Sequence, residues 1–184
     1  MSKKIDIPGL TVSAPSSGAG KTTFTLGLLR VLKNNGVKVQ PYKNGPDYID
    51  PTFHECASGR KSYNLDTWAM HDETLAHLLK RLEESVDLIV VEGVMGLFDG
   101  ASAFDEKNNG STASLAEKTG WPVILVVDAS SQAQSIAALI RGFLTHNEKV
   151  SIGGLIFNRV GSDGHKKVIN VAMEKYFPEV PVPQ

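Results

Sequence analysis

Short apolar runs rich in β-branched residues recur along this chain, separated by stretches whose hydrophobic positions follow a helical period. The first run, Leu10-Thr-Val-Ser-Ala14, predicts a strand. After a glycine-rich break, Phe24, Leu28, Val31 and Leu32 fall on one face of a helix that Gly36 terminates. Residues 37–42 predict a second strand. Residues 43–67 are polar and turn-forming, which predicts irregular chain with one short helix after Pro51. Leu75, Leu78, Leu79 and Leu82 then mark an amphipathic helix over 72–85. Residues 87–93 are apolar almost throughout, the pattern of a strand covered on both faces. A long glycine-rich loop is expected over 94–110. Beyond it come a helix from Ser111, a strand over 122–128, a helix carrying Ile136, Leu139, Ile140, Phe143 and Leu144, a strand over 150–158 and a helix near 163–176. Such alternation predicts an α/β fold: a mostly parallel sheet with helices on both faces, its ligands at the carboxyl ends of the strands.

The break after the first strand carries chemistry. Ala14-Pro-Ser16-Ser17-Gly18-Ala19-Gly20-Lys21-Thr22-Thr23 leaves a strand and opens a helix, the setting a phosphate-binding loop requires. Gly18 and Gly20 let successive N–H groups turn towards phosphate oxygens, and the helix N-terminus adds its positive end. Lys21 is placed to reach the β- and γ-phosphates, and the Thr22 hydroxyl to ligate Mg2+. Pro15 stands where the strict motif has glycine, at a strand exit that does not need positive φ. The fold expected is therefore a three-layer, P-loop NTPase-like domain.

Such a loop works with a carboxylate at the end of a neighbouring strand. Glu92 closes Leu88-Ile-Val-Val-Glu92, and Gly93 and Gly96 leave room for a ligand. Asp128 ends the next strand and suits a helix cap or loop organiser as well as a site role. A second cluster, Tyr42-Lys43-Asn-Gly45-Pro-Asp47-Tyr48-Ile-Asp50-Pro51, leaves the second strand at the same sheet edge. Its spacing fits metal or phosphate chemistry through Lys43, Asp47 and Asp50, and fits equally a turn whose aspartates cap backbone amides.

Composition narrows the field. The 184 residues carry a net charge of −1, with basic residues scattered, so neither nucleic acid nor a membrane surface is expected as a partner. A single cysteine, Cys56, excludes a disulfide framework within the chain, and a cytoplasmic setting is expected. Cys56 lacks the strand–turn–helix elbow of a nucleophile and reads as a small buried packing thiol. His54, His71, His77, His146 and His165 show no metal-ligand spacing; most are expected at the surface or as caps. Trp68 and Trp121 read as packing residues. Asn158 precedes Arg159-Val-Gly161 and suits either a nucleobase contact or a turn.

The motifs Lys43-Asn-Gly-Pro-Asp-Tyr-Ile-Asp-Pro51, Asn64-Leu-Asp66, Glu92-Gly-Val-Met-Gly-Leu-Phe-Asp-Gly100, Gly110-Ser-Thr-Ala113 and Asn158-Arg-Val-Gly161 together resemble the ATP-binding synthetase domain of the cobyrinate and hydrogenobyrinate a,c-diamide synthases, relatives of dethiobiotin synthetase. The resemblance runs from residue 14 to about 181. It implies ATP- and Mg2+-dependent amidation of the a- and c-carboxylates of a corrinoid ring through an acyl phosphate. Its residues would be Lys21, Lys43, Asp47 and Glu92 for catalysis and Thr22, Asp47 and Glu92 for metal. Ser16, Ser17, Gly18, Ala19, Gly20, Lys21, Thr22, Thr23 and Asn158 would hold the nucleotide, with Asn158 facing the adenine. Tyr48, Asp50, Ser111 and Thr112 would bind substrate.

That family also carries a C-terminal glutaminase domain with a nucleophilic cysteine, for which this sequence has no room. The chain is therefore expected to be a truncated synthetase domain, the alternative being one that relies on free ammonia or a separate glutaminase; a homodimer is compatible with the resemblance. Two other readings compete. One is the same chemistry on a nickel sirohydrochlorin. The other is a nucleotide-dependent switch without ligase activity, against which stands Ser16, where partitioning ATPases usually carry a second lysine.

Overall fold

The computed structural model describes residues 7–80, 85–101 and 108–181. Its strands are β1 (Gly9–Ser13), β2 (Val39–Asn44), β3 (Tyr63–Leu65), β4 (Leu88–Glu92), β5 (Val123–Asp128) and β6 (Ile152–Asn158). The helices are α1 (Lys21–Asn34), α2 (Asp50–Ser58), α3 (Asp72–Lys80), α4 (Thr112–Thr119), α5 (Ile136–Thr145) and α6 (Asp163–Tyr176). The strands form one sheet in the order β3-β2-β4-β1-β5-β6. Every pairing is parallel, so the sheet is parallel throughout rather than mostly so. The order reverses at β1, and the crevice at that switch point is where such sheets hold ligands.

Alternate strand residues enter opposite cores. Val12, Val90 and Val126 pack with Leu29 of α1 and Ala57 of α2. On the other face, Ile89 and Val91 pack with Leu75 and Leu79 of α3 and with Leu115 of α4. Val123, Leu125, Val127 and Leu155 pack with α5 and α6 through Ile136, Ile140, Ile169 and Met173. Strands buried on both faces need apolar residues at every position, hence the near-continuous Leu88-Ile-Val-Val of β4. The last described residues run along the outer edge of β6, where the Pro181 carbonyl accepts from the Leu155 N–H at 3.0 Å.

The structure departs from the sequence expectations at named places. β2 begins later than residue 37 and extends through Lys43 and Asn44, so those two belong to the sheet rather than to a loop. β3 lies within the stretch expected to be irregular; three residues are too few to show a period. Helix α1 buries Thr25 and Leu29, while Val31 is exposed. Helix α2 buries His54, Ala57 and Ser58, which turns Cys56 to solvent instead of the core. Trp121 packs as expected, but Trp68 is exposed, because the turn held by Asp66 Oδ1 on the Trp68 and Ala69 N–H groups leaves its ring outside the core. The expected continuation of α3 over 81–84 and the middle of the long loop, 102–107, lie outside the described residues.

Two glycines should respond to alanine with opposite signs. A Cβ on Gly9 would lie 2.3 Å from the Trp121 ring, so Gly9→Ala is expected to destabilise by about 1–3 kcal/mol. Gly27, within α1, has nothing within 4 Å of its added Cβ, and Gly27→Ala is expected to stabilise by about 0.5–1 kcal/mol. Urea denaturation of both variants checks the pair.

Candidate active site

The loop after β1 is shaped by two left-handed glycines, Gly18 at φ 78 and Gly20 at φ 102. Ser16, Ser17 and Gly18 are exposed and Ala19 is buried. No side chain caps the first turn of α1, so Lys21, Thr22 and Thr23 open a helix with its N-terminal amides directed at this loop. Lys21 is itself buried, and its Nζ donates to the Met95 carbonyl at 2.6 Å, a residue held at φ 46. Burial, then the Lys43 charge, pull the Lys21 ammonium below its ordinary pKa, against the attraction of Glu92, Asp50 and Asp99. The chain after β4 packs directly on the phosphate loop. Leu97 N–H donates to the Ala14 carbonyl at 2.8 Å, and a Cβ on Gly96 would stand 2.7 Å from the Pro15 oxygen.

Beside the loop lies a knot of charges. Register places Lys43 of β2 opposite Glu92 of β4, and Val12 of β1 opposite Glu92, so both side chains share the sheet face covered by α1 and α2. Glu92 is inaccessible to solvent. Its Oε1 accepts from Thr22 Oγ1 at 2.6 Å and from Lys43 Nζ at 3.1 Å, and its Oε2 pairs with His54 Nε2 at 2.7 Å. Burial alone would raise the Glu92 pKa, but the His54 hydrogen bond, the Lys43 charge and the Thr22 hydroxyl together bring it down to about 2. Lys43 Nζ also meets Asp50 Oδ2 at 2.5 Å and Asp47 Oδ2 at 3.9 Å. Burial lowers the Lys43 pKa; Glu92 and Asp50 more than reverse this, and the ammonium is held above its ordinary value.

Asp47 makes the capping contacts that its spacing allowed. Its Oδ1 accepts from the Ile49 and Asp50 N–H groups at 2.8 and 3.1 Å, capping the entry to α2, while Oδ2 faces Lys43. Tyr48 is 86% exposed on the same turn. Ser111 and Thr112 are both buried. Ser111 Oγ caps α4 by accepting from the Ser114 N–H, and Thr112 Oγ1 bonds the backbone of Val94. Asn158 Nδ2 donates to the Ala19 carbonyl at 2.9 Å, so its amide meets the phosphate loop itself. Arg159, at φ 58, donates to the Gly18 carbonyl at 3.0 Å and pairs with Asp128. Asp128 thus organises its own turn through the Ser130 N–H and steadies the loop through Arg159.

The sequence reading missed His54, expected at the surface or as a cap. It lies one helical turn after Asp50 on α2, a spacing of four that marks one helix face, and its partner Glu92 is far away in sequence.

Among the described residues no group of three or more His, Cys, Asp or Glu forms a ready-made metal cage. The donors present are the Thr22 hydroxyl and the Asp47, Asp50 and Glu92 carboxylates. These are hard oxygens, and the three carboxylates already converge on one cation, the Lys43 ammonium. Such a set fits Mg2+, which takes few protein ligands and keeps water and phosphate oxygens for the rest.

A phosphate-binding loop at the switch point of a parallel sheet, with a carboxylate on the adjacent strand, defines a P-loop nucleotide-binding domain. Residues 10–184 match the CobQ/CobB/MinD/ParA nucleotide binding domain, and the chain belongs to that family. It is 48% identical over 167 residues to the hydrogenobyrinate a,c-diamide synthase of Rhodobacter capsulatus, covering 91% of this chain and 38% of the relative. The cobyrinate a,c-diamide synthase of Listeria innocua is 47% identical over 174 residues, covering 94% and 38%. The chain therefore spans little more than a third of the length of these relatives. Among solved structures it resembles FtsY of Elizabethkingia anophelis, at TM-score 0.66 and 16% identity over 95% of this chain and 57% of that one. The hydrogenase maturation factor HypB of Archaeoglobus fulgidus gives TM-score 0.59 and 14% identity, covering 97% and 80%. Those two share the fold. No helix among the described residues is long and apolar enough to cross a membrane.

The depressed Glu92 pKa has a sign. A carboxyl whose folded pKa lies near 2, against an ordinary 4.5, adds stability that is complete above pH 4.5 and is lost as pH falls towards 2. The stability gap between wild type and Glu92→Gln, on the order of 3 kcal/mol, should hold steady above pH 4.5 and shrink below it. Urea denaturation of both proteins across that range measures the gap.

Proposed function

We propose that this chain is the ATP-binding synthetase part of an ATP-dependent carbon–nitrogen ligase that amidates the a- and c-carboxylates of a corrin ring, cobyrinate or hydrogenobyrinate, in cobalamin biosynthesis. What carries the reading is the 52% identity over 167 residues to the hydrogenobyrinate a,c-diamide synthase of Brucella anthropi, over 90% of this chain and 37% of that protein. The geometry of the knot supports it, because activating a carboxylate with ATP brings several anions together. Each needs a cation or a donor at the moment of transfer.

In this reading the loop amides of 16–23 and Lys21 hold the triphosphate. The Thr22 hydroxyl with Asp47 and Glu92 would hold Mg2+, which when bound would supply screening of the phosphate charges. A substrate carboxylate oxygen attacks the γ-phosphorus and ADP leaves. Ammonia then attacks the acyl carbon, phosphate departs, and a proton is lost to leave the amide. Lys43, between the phosphate loop and the carboxylates, neutralises charge on the transferring group. Tyr48 and Asp50, at the entry to α2, meet the macrocycle, and Asn158 leaves Ala19 to face the adenine. Ammonia comes from a glutaminase domain or from solution. Cytoplasmic placement follows from this chemistry, whose nucleotide is an intracellular metabolite.

Two measurements test the proposal. Calorimetry with MgATP should give measurable binding for the wild-type chain and at least tenfold weaker binding for Lys21→Ala; equal affinities would remove the loop from the site. With ammonium supplied and products followed by mass, Asp47→Asn and Glu92→Gln of the whole protein should retain ATP binding in EDTA and lose at least a hundredfold in one-amide steps on a corrin substrate. Turnover confined to a nickel sirohydrochlorin would reassign the macrocycle, and no turnover on any tetrapyrrole would favour a nucleotide-dependent switch.

A further inference from the structure

We propose that His54 is a positioning residue that sets the Glu92 carboxylate for the metal–nucleotide site. The inference rests on the nucleotide and Mg2+ part of the reading above and not on the identity of the macrocycle. His54 has no solvent exposure, so neither substrate nor bulk water reaches its ring, and it is not placed to exchange protons with a reacting group. What it does touch is specific. Nε2 lies 2.7 Å from Glu92 Oε2, and Nδ1 lies 3.1 Å from Ser62 Oγ, itself buried. An ionised carboxylate can only accept, so Nε2 carries the proton facing Glu92, and the Ser62 hydroxyl can satisfy Nδ1 on the far side.

The consequence lies in which Glu92 oxygen faces the phosphate loop. With Oε2 held by His54, Oε1 is the oxygen left to Thr22 Oγ1 and Lys43 Nζ. Thr22 and Glu92 are the pair that would hold the ion, directly or through water. Helix α2 makes the grip rigid, because Asp50 and His54 sit four residues apart on one face and hold the two members of the Lys43–Glu92 pair separately. Asp47, which caps the start of that helix, ties the substrate-side turn to the same element. Without the imidazole N–H, Oε2 would be a buried charged acceptor lacking its donor. The carboxylate would turn towards Lys43 and away from Thr22.

The test is the coupling between Mg2+ and ATP, which needs no turnover. ATP affinity is measured by calorimetry in excess Mg2+ and in EDTA for wild type, His54→Gln, His54→Leu and His54→Asn. The Gln side chain can offer an N–H near the Nε2 position; Leu offers none, and the shorter Asn falls short of Glu92. Wild type and His54→Gln should show the same Mg2+ enhancement within about twofold. In His54→Leu and His54→Asn the enhancement should drop at least tenfold, while affinity in EDTA stays within about twofold of wild type. His54→Asn carries the test if the Leu variant does not fold. Full Mg2+ enhancement in His54→Asn or His54→Leu overturns the inference. So does an equal loss with and without Mg2+, the signature of a merely structural role, or a His54→Gln as weak as Leu. A wild type that binds ATP with no Mg2+ enhancement also overturns it. A protein that keeps this pattern but amidates no tetrapyrrole would sink the proposed reaction and leave the positioning role standing.

Discussion

Glu92 is a carboxylate with no contact to water, and its charge survives there because Thr22, Lys43 and His54 reach it from α1, β2 and α2. Removing one partner of such a buried pair typically costs about 3–5 kcal/mol, since the remaining charge is left without compensation. Four elements on one sheet face therefore have to arrive together for the knot to be tolerable. That requirement fixes where α2 lies over β2 and β4, and with it the turn bearing Asp47, Tyr48 and Asp50. The site and the local fold depend on the same interaction.

The phosphate loop is steadied from two further sides. The segment after β4 lies against it through the Leu97 N–H and Gly96, where no side chain would fit. From the end of β6, Asn158 and Arg159 donate to the carbonyls of Ala19 and Gly18. A loop whose amides must all turn inward leaves its carbonyls facing outward, and those carbonyls need donors. Lys21 meanwhile rests on the Met95 carbonyl, a neutral partner that a phosphate oxygen, being charged, can outcompete.

The features readable from the chain are those whose cause is local. The loop from Ala14 to Thr23 is a fixed spacing of small residues between a strand and a helix, and it folds where the spacing says. Glu92 was legible as the polar end of an apolar run. Of the two readings that the spacing of Lys43, Asp47 and Asp50 left open, capping is seen for Asp47: one oxygen caps the entry to α2 while the other faces Lys43. Cys56 and Trp68 went the other way. Each is apolar enough for a core, but a helix buries only one face, and α2 spends its face on His54, Ala57 and Ser58. The turn at Asp66 leaves the Trp68 ring outside.

By itself, then, the sequence determined the alternation of strands and helices, the phosphate loop, and the set of charged residues that gather at one sheet edge. Periodicity and turn chemistry act over a few residues and are visible there. The tertiary structure alone decided which charges meet. Lys43 faces Glu92 because β2 lies beside β4 in register, and His54 reaches Glu92 because α2 crosses above both strands. Neither partner carries a mark of the other in its own neighbourhood, since a contact between distant segments is set by sheet order and helix placement. Those in turn follow from the packing of the whole core.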